Sequence, residues 1–253
     1  MKQVNYRLEN GIGRLTLNRP ERHNALVPEL LADLREALAC CREDMPPVLI
    51  IDAAGKSFST GGDVAGFFDT PREHRHDYAA AVVGELNRTI IDLLALPVPT
   101  IVAVHGLVTG GSLGLVLACD IAVLGPKASF APWYTVVGYS PDGGWTALLP
   151  ERIGRARALD IQLTNRTLKA EEAHQSGLGQ YLAAAGEELA TAWSLANQIR
   201  TRQPGSVART LQLGRPDMSR VKPALDLEYR QFLEQIVTTE ADKGMAAFLG
   251  RQA

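Results

Sequence analysis

Two glycine-rich turns, each following a short run of apolar residues, constrain this chain more than any other feature. One run, residues 48–51, precedes the turn at 59–63, and another, residues 100–104, precedes the turn at 109–112. Apolar runs of this length are typical of strands buried on both faces of a sheet. Glycine permits backbone angles that leave successive N–H groups unpaired. Two such turns facing one cavity would form an oxyanion hole.

Weaker patterns predict the elements around these turns. Polar and apolar side chains alternate on both sides of Asn10-Gly11, which predicts a β-hairpin over residues 3–18. Other apolar spacings predict helices over residues 28–41, 78–96 and 113–119 and a strand over 121–124. Helical patterns dominate after Gly154. We therefore predict an α/β fold in which strands and helices alternate first and helices make up the C-terminal third.

Composition excludes several classes of partner. The 253 residues carry a net charge of −2 and are 46% hydrophobic, which argues against nucleic acid or anionic lipid as a partner. We interpret the basic side chains of residues 200–220 as a solvated loop. The three cysteines form no disulfide framework, the N-terminus lacks a signal-peptide core, and the apolar stretches are too short to span a membrane. These features predict a cytoplasmic protein with no membrane partner.

A charged run at residues 72–77 contains two histidines, His74 and His76. Histidines two positions apart among arginines are typical of a solvated helix start, and a metal site needs further ligands. The sequence therefore predicts no metal.

The turn at residues 110–114 allows three interpretations. It fits the G-x-S-x-G pattern of a nucleophile elbow, in which Ser112 would need His174 and an acid such as Asp142 or Asp160. It could instead serve close helix packing, or it could bind an anion through its N–H groups. His174 lies in a polar stretch that predicts an exposed helix start, which disfavours the hydrolase.

Several motifs, taken together and in order, resemble the enoyl-CoA hydratase/isomerase (crotonase) superfamily. Each motif is weak by itself, but as a set they cover nearly the whole chain. They are residues 17–26 (LNRPERHNAL), 56–64 (KSFSTGGDV), 99–120 (PTIVAVHGLVTGGSLGLVLACD), 128–131, 149–155 and 242–249.

The resemblance implies a spiral of β-β-α turns in residues 1–195 and a helical C-terminal region, residues 196–253, used for trimerisation. It implies an acyl-CoA thioester substrate, no separate cofactor, and a homotrimer or a dimer of trimers. It would make the N–H groups of Gly62 and Gly111 the oxyanion hole. The residues that it implies in substrate binding are Arg22, Ala25, Ser59, Thr60, Gly61, Asp63, Val64 and Gly110.

The reaction depends on carboxylates that this chain lacks. Hydratases of the superfamily use two glutamates, and the positions similar to them are Gly114 and Tyr134 here. Glycine cannot transfer a proton, so a two-glutamate hydratase mechanism is disfavoured.

The segment 140–144 (SPDGG) offers one carboxylate, Asp142, and in this it resembles the single-carboxylate enoyl-CoA isomerases. Moving a double bond from C3 to C2 needs only one group, which removes a proton from C2 and returns it at C4. Trp133, Tyr134 and Tyr139 predict an aromatic site, which would raise the pKa of Asp142 above its reference of about 3.9. We therefore predict Δ3-Δ2 enoyl-CoA isomerisation with Asp142 as the base, although an ordinary turn aspartate would fit the same four residues.

Three further alternatives stay open within the superfamily. A ring-closing enzyme similar to the naphthoyl-CoA synthases also has an aspartate in an Asp-Gly-Gly turn and a glycine in place of the first glutamate. A hydratase with a non-standard water-activating group is another, and a catalytically inactive acyl-CoA-binding member is the third.

Overall fold

The computed structural model describes residues 2–252. Its strands are β1 (Val4–Glu9), β2 (Ile12–Leu17), β3 (Leu49–Ala53), β4 (Thr100–Val104), β5 (Leu107–Thr109), β6 (Ile121–Leu124), β7 (Ser129–Ala131), β8 (Leu168–Lys169) and β9 (Tyr181–Leu182). Its helices are α1 (Pro28–Asp44), α2 (Val64–Asp69), α3 (Arg72–Leu94), α4 (Leu113–Leu117), α5 (Tyr134–Val137), α6 (Leu149–Ile153), α7 (Arg155–Thr164), α8 (Ala170–Gln175), α9 (Glu188–Ile199), α10 (Pro204–Gly214), α11 (Met218–Ile236) and α12 (Thr239–Leu249). Residues 20–22 and 110–112 form short 3-10 helices.

The chain alternates between two sheets. The larger has the strand order β1-β2-β3-β4-β6-β9 and the smaller has the order β5-β7-β8. A strand of the larger sheet is followed by a strand of the smaller sheet and then by a helix, in β4-β5-α4 and again in β6-β7-α5. After β3, Ser59 forms an isolated bridge with Val108 of β5 before α2 begins. This repetition is the predicted β-β-α spiral, and the α/β class is confirmed.

The central strands β3 and β4 of the larger sheet are buried on both faces, as predicted. β3 alternates its side chains: Leu49 and Ile51 join the main core with α1 and α3, whereas Ile50 packs with Ile101 and α9 on the opposite face. The N-terminal hairpin is confirmed, with Asn10 at φ 51° and Gly11 at φ 78° in its turn. Successive side chains of a strand point to opposite faces, so a continuous apolar run serves two cores.

The C-terminal helices cover the open side of the spiral. α11 packs against α3, and α12 packs against α5 and α2. The predicted division between residues 195 and 196 lies within the continuous helix α9, which packs on the larger sheet. Between residues 2 and 252, no helix has both the length and the apolar character that a membrane crossing requires.

Two segments predicted to be solvated each contain an arginine whose side chain is mostly shielded from solvent, which corrects that prediction. α3 begins at Arg72, six residues earlier than expected, and Arg75 is buried, donates to the carbonyl of Phe67 and pairs with Asp242. Arg215, in the segment interpreted as a loop, donates to both carboxylate oxygens of Asp120 at 2.8 and 2.7 Å. A guanidinium group shielded from water needs a partner, and each of these arginines finds a carboxylate on an element distant in sequence. No group of three or more possible metal ligands forms in residues 2–252.

Candidate active site

The two glycine-rich turns lie side by side and are bonded to each other. The N–H of Ser59 donates to Leu107 at 3.1 Å, and the N–H of Thr109 donates to Ser59 at 3.1 Å. Gly61 has φ +71°, and a Cβ there would lie 2.5 Å from the carbonyl oxygen of Thr109. Only glycine meets both conditions, so the close approach of the turns requires it.

Two backbone N–H groups at these turns are left without a partner. Leu26 donates to Gly61 and Asp63 donates to Leu26, a pattern that passes over the N–H of Gly62. Within the described part of the chain, neither Gly62 nor Gly111 donates a backbone hydrogen bond, and both line one cavity. A pair of free donors at a cavity wall can bind an oxygen that gains negative charge.

The cavity encloses about 180 Å³ and is mainly apolar. Besides the turns, its wall includes side chains of α2, α3, α11 and α12. The apolar side chains on that wall are Val64, Phe67, Val82, Leu86, Phe232 and Phe248. Among the described residues that line it, Asp142 is the only carboxylate.

Asp142 lies directly beside Gly111. A Cβ on Gly111 would be 3.0 and 3.1 Å from the two carboxylate oxygens of Asp142, and the residue is only 6% exposed. Tyr134 donates its hydroxyl to Oδ1 of Asp142 at 2.5 Å and approaches the Asp142 carbonyl oxygen at 3.0 Å. The carboxylate and the free N–H groups therefore act on the same small volume.

Burial dominates the electrostatics of this carboxylate. It raises the pKa of Asp142 to about 7, the charge of Glu228 adds to the rise, and the hydrogen bond from Tyr134 opposes it. Burial and the nearby Asp142 raise the pKa of Tyr134 well above its ordinary value, so this phenol keeps its proton at neutral pH. At pH 7 a substantial fraction of Asp142 can thus accept a proton.

The loop that carries Asp142 takes the space of a side chain at position 114. Gly143 has φ +61°, and a Cβ on it would overlap the backbone of Gly111. A Cβ on Gly114 would lie 2.5 Å from the carbonyl oxygen of Gly143. A glutamate at position 114 and this loop conformation are therefore sterically incompatible. The indole of Trp145 donates to the carbonyl of Gly110 at 2.7 Å and anchors the loop.

The other predicted binding residues divide into two groups. Those that line the cavity are Thr60, Val64, Gly110, Trp133, Tyr134 and Tyr139. Ser59 lies behind the wall, fully buried, and donates to Asn24 at 2.7 Å, so it supports the turn and does not reach a ligand. Ala25 is buried. Neither Ala25 nor Gly61 lines the cavity. All roles in substrate binding stay predictions.

Arg22 and Asp63 form an ion pair near the turn, at 3.1 Å. The side chain of Arg22 is 51% exposed, whereas Asp63 caps α2 by accepting from the N–H of Gly66. Arg22 therefore keeps access to solvent, while Asp63 has a structural role that its position in the motif did not reveal.

The nucleophile-elbow interpretation of Ser112 is not supported by its surroundings. Ser112 is fully buried, and its hydroxyl donates to the carbonyls of Thr109 at 2.7 Å and Ser59 at 3.1 Å. His174 instead bonds through Nδ1 to the carbonyl of Gly179 at 2.9 Å. The hydroxyl of Ser112 thus joins the two turns, and among residues 2–252 no general base is bonded to it.

Sequence reasoning missed the side chains that α11 and α12 bring to the site. Phe232, Phe248 and Glu228 lie in amphipathic helices, where an apolar or charged residue gives no local sign of a site. Their position depends on how these helices pack against α2, α3 and α5, which the motif at residues 242–249 does not encode.

The chain is similar to known proteins over nearly its whole length. Residues 7–253 match the sequence model of the family described as Enoyl-CoA hydratase/isomerase. The chain is 33% identical to the 1,2-epoxyphenylacetyl-CoA isomerase of Escherichia coli, over 97% of this chain and 95% of that protein. It is 32% identical to a probable enoyl-CoA hydratase of Mycobacterium tuberculosis, over 96% of this chain and 93% of that protein. The crystal structure of an enoyl-CoA hydratase/isomerase from Pseudoalteromonas atlantica is similar in fold, with a TM-score of 0.86, 30% identity, and coverage of 100% of this chain and 98% of that one.

Proposed function

The chain belongs to the enoyl-CoA hydratase/isomerase family, and we propose that within it this protein moves the double bond of a 3-enoyl-CoA thioester to the 2-position. The observation that carries the proposal is the single carboxylate of Asp142 beside the free N–H of Gly111. Relatives carry both hydratase and isomerase names, so the reaction is argued from the site alone.

The arrangement suits enolate chemistry at a thioester. The carbonyl oxygen and C2 of an acyl thioester are separated by the carbonyl carbon alone, so the group that binds the oxygen and the base for C2 must be neighbours. We place the oxygen between the N–H groups of Gly62 and Gly111, where donors stabilise the negative charge that develops on it. Asp142 is then within reach of C2.

The proton inventory closes without another reactant. The Asp142 carboxylate removes a proton from C2 of the 3-enoyl thioester, and the electrons form a dienolate whose oxygen is held by the two N–H groups. The protonated carboxyl then delivers a proton to C4, and the double bond lies between C2 and C3. One proton has moved, no bond to water has formed, and no redox cofactor takes part.

The walls of the cavity favour isomerisation over hydration. Hydration needs a second polar group to activate water, and among the described residues that line the cavity there is no second carboxylate besides Asp142. We propose that the acyl group lies among Phe67, Leu86 and Phe232, and that the coenzyme A portion leaves past Trp133 and the exposed cation of Arg22.

Incubation with 3-enoyl-, 2-enoyl- and 3-hydroxyacyl-CoA in deuterated water tests the proposal. We expect conversion of the 3-enoyl to the 2-enoyl thioester, exchange confined to C2 and C4, and no gain of water by mass spectrometry. Asp142→Asn should lose both conversion and exchange while still binding the thioester. Asp120→Asn, at a carboxylate bonded to Arg215 and Thr100 outside the cavity, is the matched control.

Other outcomes would replace the proposal. Formation of a hydroxyacyl product would identify a hydratase. Binding without exchange would identify an inactive acyl-CoA-binding member, and unchanged turnover in Asp142→Asn would remove Asp142 from the reaction.

A further inference from the structure

A second buried carboxylate, Glu228 on α11, lies on the far side of the Asp142 loop. Glu228 is 4% exposed and does not line the cavity. Its Oε1 accepts from the N–H of Thr146 at 2.7 Å, the hydroxyl of Thr146 at 2.6 Å and the N–H of Ala147 at 2.8 Å, and its Oε2 accepts from the N–H of Gly144 at 2.8 Å. One side chain thus satisfies four donors within four residues of chain.

These donors belong to the segment that directly follows Asp142. Gly143 lies so close to Gly111 that a Cβ on it would overlap the Gly111 backbone, and Gly144, the next residue, is bonded to Glu228. The positive φ of Gly143 and Gly144 makes the turn intrinsically adaptable, because glycine has the widest choice of backbone angles. The bonds to Glu228 remove that freedom.

A buried carboxylate is energetically less favourable than a neutral acceptor if its only role here is structural. Burial raises the pKa of Glu228 above its ordinary value, against the effect of its four hydrogen bonds. Its charge also acts on Asp142, whose pKa it helps to raise. A neutral acceptor could hold the same loop without placing a second negative charge near the first.

We propose that Glu228 is a positioning residue for the reaction: it holds the Gly144–Ala147 backbone so that the carboxylate of Asp142 stays beside Gly111. This inference rests on the proposed role of Asp142 as the base. Besides geometry, the charge of Glu228 contributes to catalysis, because it makes Asp142 a stronger base than burial alone would. Tyr134 is the other titratable group that acts on Asp142, and its effect has the opposite sign.

Two substitutions separate the geometric effect from the effect of charge. Glu228→Gln keeps the length of the side chain but removes the charge. One acceptor oxygen becomes an N–H₂ group, which points at a backbone N–H and cannot accept from it. We expect kcat to fall about tenfold with KM changed by less than about threefold, and the acidic limb of the pH profile to move below pH 7. Glu228→Asp keeps the charge but shortens the reach, so kcat should fall while the acidic limb stays near pH 7.

Controls cover folding and local packing. Asp120→Asn removes a partly buried carboxylate that also accepts a backbone N–H, far from the cavity, and should leave both kcat and the pH profile unchanged. Thr146→Val removes one donor to Glu228 and should lower kcat about threefold. This variant tests the proposal if Glu228→Gln does not fold. Wild-type kcat and an unmoved acidic limb in Glu228→Gln would overturn the proposal. If that variant does not fold, wild-type kcat in both Thr146→Val and Glu228→Asp would do so.

A measurement independent of turnover distinguishes this proposal from that of the function. The titration of Asp142 can be followed by ¹³C NMR of labelled aspartate carboxyls, with Asp142→Asn used for assignment. A lower titration midpoint in Glu228→Gln supports the action of Glu228 on Asp142 even in a protein that does not isomerise 3-enoyl thioesters. An unchanged midpoint together with full isomerase activity rejects the role of Glu228 and leaves the proposed function intact.

Discussion

Asp142 and Glu228 are two carboxylates with nearly equal burial, 6% and 4% exposed, but with very different surroundings. Glu228 accepts four hydrogen bonds from one backbone segment, whereas the Asp142 carboxylate accepts one side-chain hydrogen bond, from Tyr134. The carboxylate of Asp142 therefore keeps free lone pairs that face the cavity. The difference teaches that burial by itself does not make a base: the count and direction of donors determine whether a buried carboxylate holds structure or accepts a proton.

The largest effect should come from removing the carboxylate of Asp142, and it should be seen in the free energy of unfolding. The pKa of Asp142 is about 7 in the folded protein and near 3.8 in the unfolded chain, so the native state binds more protons between these values. Stability from this group is complete below pH 3.8 and is lost as the pH rises through 7. Asp142→Asn should therefore be more stable than wild type by about 4 kcal/mol at pH 8, and the advantage should shrink toward pH 4.

Urea unfolding of the two proteins at several pH values measures this difference, with Asp120→Asn as the reference for a partly buried carboxylate that is paired with an arginine. A pH-independent difference in stability between Asp142→Asn and wild type would mean that folding does not raise the pKa of Asp142.

A second experiment displaces the Asp142 loop without changing either carboxylate. Gly143→Ala would place a methyl group against the backbone of Gly111, and we expect kcat/KM to fall about a hundredfold, since an ångström of displacement can cost that much. Gly186→Ala is the matched control, because Gly186 also has a positive φ but has open space around its Cβ position. An equal loss of kcat/KM in both variants would mean that backbone strain, and not displacement of the Asp142 loop, causes the loss.

A smaller effect should follow from removing the donor to Asp142. The hydrogen bond from Tyr134 lowers the pKa of Asp142, so Tyr134→Phe should raise it above about 7. The proposed base acts when deprotonated, so kcat/KM at pH 7 should fall about fivefold for a rise of one unit and recover at higher pH. A pH–rate profile measures the midpoint. The midpoint of Tyr139→Phe should stay near 7, because the hydroxyl of Tyr139 has no partner in residues 2–252.

The smallest effect is expected at Ser112, which resembles Glu228 in being fully engaged with backbone groups. Ser112→Ala should lower the free energy of unfolding by about 1–2 kcal/mol, because two carbonyls lose a donor, and change turnover less than about twofold. Labelling of the wild-type protein at Ser112 by a fluorophosphonate would contradict this assignment and restore the hydrolase interpretation.

The motifs of the first 145 residues allowed much of the fold and the site to be predicted. The hairpin, the strands buried on both faces and the two glycine turns depend on local patterns, and the structure confirms them. Family membership, inferred from the order of the motifs, is confirmed as well. The prediction about solvated charges was wrong at Arg75 and Arg215, since each finds a carboxylate partner that is far away in sequence.

The sequence by itself determined where backbone N–H groups could be left free and that position 114 has no carboxylate, because both follow from the identity of glycines. Only the tertiary structure decided that the loop of Asp142 fills the space at position 114, that Tyr134 bonds to this carboxylate, and that Glu228 holds the loop from behind. The physical reason is that the acid strength and placement of Asp142 depend on burial, on the donor Tyr134 of α5 and on the charged acceptor Glu228 of α11, which come together only when the helices pack.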